Sequence, residues 1–117
     1  QKTLGPLISN KIISGLSHIT GGGITENLQR ILPKKLSFSI DLAKWKIPKL
    51  MSWVIDKSDM TEAEALKTFN CGIGMICVVS KNNIQTFTNY FKNKSEPFYL
   101  IGEITNTKSH AYKGSLF

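Results

Sequence analysis

Three consecutive glycines, Gly21 to Gly23, constrain the folding of this chain more than any other feature of its sequence. They follow an apolar segment that is typical of a short strand, and they precede a segment whose apolar residues recur at helical spacing. Because glycine has no Cβ atom, the backbone can turn sharply there and can approach a bound molecule closely. The pattern predicts a strand-to-helix turn, either without a ligand or with an anion at the helix N-terminus, and the residues alone leave both open.

Helical and strand patterns alternate along the whole of the 117 residues. In chain order the predicted elements are a helix (3–14), a strand (15–20), a helix (25–30), a strand (36–40), a buried helix (48–55), a short helix (61–69), a fully buried strand (75–79), a helix capped by Asn82 or Asn83 and reaching Phe91, a strand (98–104) and a last strand (110–117). This alternation predicts one α/β (α+β) domain over residues 1–117, in which a mixed sheet of about four to five strands carries helices on both faces.

Individual residues mark the ends of several of these elements. Gly15 is expected to stop the first helix, and Pro33 is expected to close the second, because proline cannot continue a helix. Pro48 suits the first turn of a helix, where its missing N–H costs nothing. Thr61 and Glu64 have the spacing of a capping box, so a helix is expected to begin directly after Thr61.

The formal net charge of +7 raises the possibility of a nucleic-acid partner. Of the 15 basic residues, however, only Arg30 is an arginine, and arginine is the side chain that recognises phosphates and guanines in a bidentate way. The lysines are scattered from Lys2 to Lys113. We therefore expect a solvated basic surface and no nucleic acid, and polyanion binding stays open as an alternative.

The cysteines and the apolar segments favour a reduced, cytoplasmic setting. Cys71 and Cys77 are too few for a disulfide framework, and their spacing is not that of a metal site. No segment approaches the roughly 18 consecutive apolar residues of a membrane helix, and the start of the chain does not have the pattern of a signal peptide. The sequence therefore predicts no metal ligands and no membrane partner.

Two further positions could carry chemistry. His18 lies just before the glycines, where its imidazole could donate a hydrogen bond or carry a proton, although a histidine beside an apolar strand is more often structural. The segment from Asn70 to Gly74 predicts a second turn, either as the wall of a binding site or as a plain connection whose glycines need positive φ. Cys71 is a weak candidate nucleophile, because the sequence places no histidine beside it.

Two long motifs resemble one enzyme family. The first motif is HITGGGITENL over residues 18–28, continued by RILP over residues 30–33, and the second is TFNCGIGM over residues 68–75. In this order they closely resemble the C-terminal domain of phosphoribosylformylglycinamidine cyclo-ligase, or AIR synthetase. Further positions that fit the family's pattern are Trp45, Ile47, Pro48 and residues 101–104. The resemblance therefore spans nearly the whole chain.

The resemblance implies a ligase of purine biosynthesis that converts formylglycinamidine ribonucleotide to aminoimidazole ribonucleotide. It implies ATP and Mg²⁺ as cofactors of the full-length enzyme, with none tightly bound to this chain by itself. ATP would make the formamide oxygen a leaving group, and the protein would position the reactants and stabilise charge. The implied partners are an N-terminal ATP-binding domain of the same protein, a second copy in a homodimer, and the nucleotide substrate.

The resemblance also implies which residues line the cleft between the two domains. His18 would be the catalytic residue, acting on the reacting amide as a hydrogen-bond donor or proton carrier. The residues that would bind the substrate or its phosphate are Thr20, Gly21, Gly22, Gly23, Glu26, Asn27, Asn70, Gly72 and Gly74.

The sequence departs from the family's pattern in one respect. The N-terminal domain and the leading strand of the C-terminal domain, with its Pro-Thr motif, are expected before Gln1. By itself this chain is therefore expected to be inactive and to self-associate, because a sheet edge and an apolar surface would be uncovered. The alternatives are a domain of a related ATP-dependent enzyme, of the selenophosphate synthetase, thiamine-phosphate kinase or formylglycinamidine synthase type, or a non-catalytic polyanion-binding module.

Overall fold

The computed structural model describes residues 4–92, 94 and 97–116. Within the chain, two compact units are distinguished: a first unit formed by residues up to 16 together with 77–98, and a second unit formed by residues 17–76 together with those from 99 onward. The elements in chain order are α1 (Gly5–Ser9), β1 (Ile13–His18), α2 (Gly23–Ile31), β2 (Ser37–Asp41), a 3-10 turn (Leu42–Lys44), α3 (Lys49–Lys57), α4 (Glu62–Thr68), β3 (Met75–Val79), a second 3-10 turn (Lys81–Asn83), α5 (Ile84–Lys92), β4 (Gly102–Thr105) and β5 (Ala111–Lys113).

The predicted α/β class is confirmed, and the described strands are divided between two sheets. β1 and β3 form a two-stranded sheet, and β2 is the central strand of a three-stranded sheet in the order β4-β2-β5. β2 runs antiparallel to β4, with Phe38 opposite Ile104, and parallel to β5, with Ile40 opposite Tyr112. The three-stranded sheet is therefore mixed, as expected.

The core of the second unit lies between its sheet and its helices. Its most completely buried apolar side chains are Ile24, Phe38, Leu42, Ile55 and Ala65. α2 is also tied to β5, because the hydroxyls of Thr25 and Tyr112 share a hydrogen bond of 2.7 Å. Burial raises the pKa of Tyr112 to about 12, so its phenol stays protonated at neutral pH.

The first unit has its own apolar cluster, centred on Leu7, Ile13 and Phe91. Phe91 of α5 packs against Phe87, with ring centroids 4.8 Å apart, and against Phe98 at 5.4 Å. The apolar residues that recur at helical spacing in α5 therefore pack into this cluster.

The N-terminal prediction was wrong in its boundaries. α1 ends at Ser9 instead of Ser14, and the chain reverses at Lys11, which has a φ of 59°. Gly15 lies inside β1 and does not stop a helix. The adjacent β-branched residues before Gly15 pack into the core of the first unit from an extended strand, and this packing overrides the helical periodicity.

Two elements predicted to be buried are largely accessible. In α3 only Ile55 is buried, whereas Leu50 is 75% exposed and Trp53 is 58% exposed. In β3 only Ile76 is buried, and its neighbours are half-buried. A continuous apolar run does not reveal how many of its sides are covered, since that depends on the elements packed against it.

The C-terminal strands are shorter than predicted. β4 covers only Gly102–Thr105, and the preceding apolar residues from Phe98 to Leu100 are exposed and are not in a strand. The last strand covers Ala111–Lys113, and the final residue of the predicted range, 117, lies outside the described residues. High β propensity does not make a strand where no partner strand is present to pair with it.

The helix starts were predicted with mixed success. The capping box is confirmed, since Thr61 Oγ1 accepts from the Glu64 N–H at 3.1 Å and the Glu64 carboxylate accepts from the Thr61 N–H at 3.1 Å. This backbone hydrogen bond from Thr61 lowers the pKa of Glu64. The asparagine cap of α5 is not formed, because a 3-10 turn leads directly into the helix.

Among the described residues, none of the helices has the length and the apolar character that a membrane-spanning helix needs.

The one-sided burial of α3 predicts that two apolar truncations will have opposite outcomes. Ile55→Ala is expected to lower the free energy of unfolding by about 2–5 kcal/mol, because it opens a cavity in the core. Leu50→Ala on the same helix is expected to change it by less than about 0.5 kcal/mol, because Leu50 lies in solvent. Urea denaturation of both variants checks this, and a larger loss for Leu50→Ala would contradict the exposure of this face.

Candidate functional site

The glycine turn uses its three residues in three different ways. Gly22 precedes α2 with a φ of 97°, and Gly23 begins the helix with a φ of 66°, so both occupy the left-handed region that disfavours side chains. Gly21 has no positive φ, and a Cβ atom there would meet nothing within 4 Å. Of the three glycines, Gly21 is therefore the one whose backbone is open to a ligand.

Gly23 is a packing residue. A Cβ atom at this position would overlap the carbonyl oxygen of Leu66 and would lie 2.8 Å from that of Phe69. The N-terminus of α2 therefore lies directly against the last turn of α4. The positive end of one helix meets the negative end of the other, and this arrangement is electrostatically favourable.

Asn27 holds the shape of the turn from inside. Its side chain is buried, and its amide nitrogen donates to the carbonyl oxygens of Gly23 at 2.8 Å, Gly21 at 3.2 Å and Thr20 at 3.4 Å. Its amide oxygen accepts from Arg30 Nη1 at 3.3 Å. Both ends of the amide are thus occupied by protein groups, so Asn27 positions the turn and has no group left over for a ligand.

Glu26 lies over the outer side of the turn. A Cβ atom on Gly22 would be 2.5 Å from Glu26 Oε2, and Oε1 of the same carboxylate pairs with Arg30 Nη2 at 2.9 Å. Both side chains of this i, i+4 pair are 62% exposed, so the pair adds little stability. The carboxylate would repel a phosphate at the helix start unless it moved or a cation came between them.

His18 and Thr20 lie on the accessible side of the turn. Both are exposed, whereas Ser17 and Ile19 between and beside them are buried, as the alternation of a strand requires. No described residue forms a hydrogen bond with the imidazole of His18. This imidazole, the Thr20 hydroxyl and the Gly21 backbone therefore form one accessible edge.

The second turn is shaped by its own hydrogen bonds. Asn70 Oδ1 accepts from the Gly72 N–H at 2.9 Å, and the Asn70 carbonyl accepts from the Ile73 N–H at 2.9 Å. Cys71 between them has a φ of 54°, and its carbonyl accepts from the indole N–H of Trp45 at 2.9 Å. No described residue accepts a hydrogen bond from the amide nitrogen of Asn70, which leaves it able to donate to a bound molecule.

The structure brings the two predicted motifs together. The Ile19 N–H donates to the carbonyl oxygen of Gly74 at 2.9 Å, which joins the end of β1 to the second turn. Gly74 is exposed, and a Cβ atom there would meet nothing within 4 Å. His18, Thr20 and the second turn therefore belong to one region of the surface, which we call the two-turn edge.

Gly72, in contrast, serves packing. Its φ is 92°, and a Cβ atom there would lie 2.7 Å from Cδ of Pro48. Pro48 directly precedes α3, so this close approach places the start of that helix against the second turn. Local packing thus explains a glycine at this position as well as a ligand would.

Cys71 is a buried structural thiol. It has no exposed surface, and burial together with the Glu62 carboxylate raises its pKa to about 11. A thiol of this kind is almost fully protonated at neutral pH and is a poor nucleophile. Its weak standing as a candidate nucleophile in the sequence agrees with this environment.

Trp45 has a role in this region that the sequence does not reveal. Its buried indole lies against the second turn. The bond to Cys71 spans 26 residues of sequence, so no local pattern could have revealed it. A lone tryptophan between two polar lysines, in a segment without clear periodicity, was the one available signal.

Comparison with known proteins matches nearly the whole chain. The family described as "AIR synthase related protein, C-terminal domain" matches residues 2–114. The "Bifunctional purine biosynthetic protein purD" of Dictyostelium discoideum is 42% identical over 97 residues, which is 83% of this chain and 12% of that protein. The chain thus spans a small fraction of the length of this relative.

The packing of Gly23 predicts a large difference between two similar substitutions. Gly23→Ala is expected to destabilise the fold by about 2–4 kcal/mol, because the methyl group meets a carbonyl oxygen and the φ is positive. Gly21→Ala, two residues earlier, is expected to leave stability unchanged or to raise it by up to about 1 kcal/mol. Thermal and urea unfolding measure both, and equal effects would mean that Gly23 is not a packing residue.

The burial of Cys71 predicts slow alkylation in the folded chain. Its pKa of about 11 against an ordinary 9.0 lowers its thiolate fraction at pH 8, by about 100-fold for a shift of about two units. Iodoacetamide should therefore label it at least about 100 times more slowly in the native chain than in denaturant, as followed by peptide mass spectrometry. The labelling rate should rise with pH until about pH 11, and equal rates in the two states would rule out this environment.

Proposed function

The chain belongs to the AIR synthase related protein C-terminal domain family, and we propose that it forms the C-terminal part of an ATP-dependent cyclo-ligase of purine biosynthesis. The proposed reaction converts formylglycinamidine ribonucleotide to aminoimidazole ribonucleotide. The observation that carries the proposal is the hydrogen bond between Ile19 and Gly74, because it assembles His18, Thr20 and Asn70 into the two-turn edge. Two motifs, which begin at residues 18 and 68, thereby supply one accessible surface.

The two-turn edge offers side-chain donors that have no hydrogen-bond partner among the described residues. The His18 imidazole can donate a hydrogen bond to the reacting amide or carry its proton, since it is exposed at the end of β1. The Thr20 hydroxyl and the amide nitrogen of Asn70 can orient polar groups of the substrate. Bound ATP would supply the phosphoryl group that makes the formamide oxygen able to leave.

Several of the remaining site residues support this edge instead of contacting the substrate. Asn27 holds the carbonyls of the glycine turn, and Gly23 and Gly72 permit close packing beneath the edge. Gly21 is the glycine that fits a phosphate-bearing ligand, because its backbone is exposed and has open space beside it. We therefore divide the nine expected binding residues into contacting residues and positioning residues.

We propose that the ATP-binding part of the enzyme lies in another domain of the same protein. Among the described residues, no group of three His, Cys, Asp or Glu side chains could hold a metal ion. We propose that the Mg²⁺ chemistry belongs mainly to the N-terminal domain. The proposal includes an N-terminal ATP-binding domain and a homodimer as partners, and a cytoplasmic location. The relative of Dictyostelium discoideum is much longer than the matched segment, and this supports the presence of a further domain.

His18→Ala in the parent enzyme is expected to lower kcat by about 10²–10⁴-fold, because a proton carrier or hydrogen-bond donor of the reacting amide would be lost. ADP release coupled to a spectrophotometric assay, with formylglycinamidine ribonucleotide as substrate, measures the effect. The matched control is Ser14→Ala, an exposed residue of the same strand, which should keep wild-type turnover.

Wild-type turnover of the His18→Ala enzyme would show that this role is wrong. The same assay with selenide or thiamine phosphate in place of the nucleotide tests the related ATP-dependent enzymes. ADP release with either of them, and none with formylglycinamidine ribonucleotide, would overturn the proposed reaction.

A further inference from the structure

An open depression with a volume of about 670 Å³ lies on the second unit, beyond the C-terminal end of α2. Its lining includes Arg30, Lys34, Lys108 and His110, together with the polar residues Gln29 and Ser109. None of the described residues that line it is acidic. We call it the basic depression. It lies at the C-terminal end of α2, whereas the glycine turn of the two-turn edge lies at the N-terminal end. The nine residues of α2 separate these ends by about 13 Å.

Helix polarity explains only part of this charge. Cations at a helix C-terminus complement the partial negative charge of the last carbonyls, and this accounts for Arg30 and Lys34. Lys108 and His110, however, come from the segment just before β5 and have no such reason to lie there. Two separate segments thus contribute basic side chains to one depression.

Arg30 has donors left for a further contact. Its guanidinium donates to Glu26 at 2.9 Å and to Asn27 Oδ1 at 3.3 Å. These bonds use two of its five N–H donors, so three are left for an anion in the depression.

The wall around Arg30 is also fixed. The Gln29 amide donates to the Leu36 carbonyl at 2.9 Å and accepts from Ser37 Oγ at 3.0 Å. The His110 ring is stacked on Phe38, with centroids 5.3 Å apart and planes 19° apart. The imidazole of His110 is therefore oriented by its stacking on a buried aromatic ring.

We propose that the basic depression binds the phosphate chain of a small molecule. A compact chain of phosphates matches several converging cationic donors, and the volume is within the range of small-ligand sites. A single-stranded nucleic acid would instead need charge along an extended groove with aromatic platforms for its bases. This site goes beyond the proposed reaction, which takes place at the two-turn edge.

The test is a titration of the ¹⁵N-labelled chain with inorganic tripolyphosphate, followed by NMR. The backbone amides of residues 29–32, 34 and 108–110 are expected to shift, and orthophosphate should bind more weakly because it carries fewer charges. The double variant K34E/K108E should weaken tripolyphosphate binding at least roughly tenfold, since each reversal removes an attraction and adds a repulsion.

The matched control is K81E/K92E, which changes the net charge equally at exposed positions of the first unit. It should alter the affinity less than about twofold, because neither lysine lines the basic depression. If K34E/K108E does not fold, as judged by circular dichroism, K34Q/K108Q replaces it with an expected weakening of a few fold.

Equal weakening by the two charge reversals would overturn the proposal, because binding would then reflect net charge alone. Shifts confined to Gly21–Gly23 would also overturn it and would instead support phosphate binding at the two-turn edge. Binding of a 12-nucleotide RNA without any binding of tripolyphosphate would overturn it in favour of a nucleic acid. Loss of turnover in the parent His18→Ala enzyme bears on the reaction only, so the two proposals fail separately.

Discussion

The contact between Gly23 and the carbonyl oxygens of Leu66 and Phe69 is the constraint on which the arrangement of the site depends. It lets α2 begin directly against the end of α4, at a distance that no side chain would allow. Because the segment after α4 is the second turn, this contact also determines where that turn lies relative to the first. A larger residue at position 23 would push the two turns apart.

The hydrogen bonds around this contact stabilise the same arrangement from several directions. Asn27 binds three carbonyls of the glycine turn, Trp45 binds the carbonyl of Cys71, and Ile19 binds that of Gly74. Each of these carbonyls would otherwise need water or a buried partner, and leaving it without one would cost free energy. The polar groups inside the motifs therefore serve mainly to hold the backbone, and the exposed ones remain for binding.

This division changes how the motifs are interpreted. The resemblance to AIR synthetase, which the family match confirms, names the polar residues and glycines of two motifs as the site. In the structure, His18, Thr20 and Gly21 face solvent, whereas Gly23 and Asn27 are buried. A family's motif thus records both the residues that can meet a ligand and the residues that place them, and burial and hydrogen bonding separate the two.

The sequence by itself determined the features that depend on a few neighbouring residues. The capping box at Thr61, the helix after the glycines and the strand before Asp41 follow from local hydrogen bonding, backbone freedom and periodicity. Motif spacing was also enough to identify the family. The tertiary structure alone decided which faces are covered, so it left Leu50 and Trp53 exposed on a helix predicted to be buried, made Asn27 a buried support and assembled the basic depression. The physical reason is that burial and charge clustering depend on residues far apart in sequence, and no local pattern specifies which distant segment will pack there.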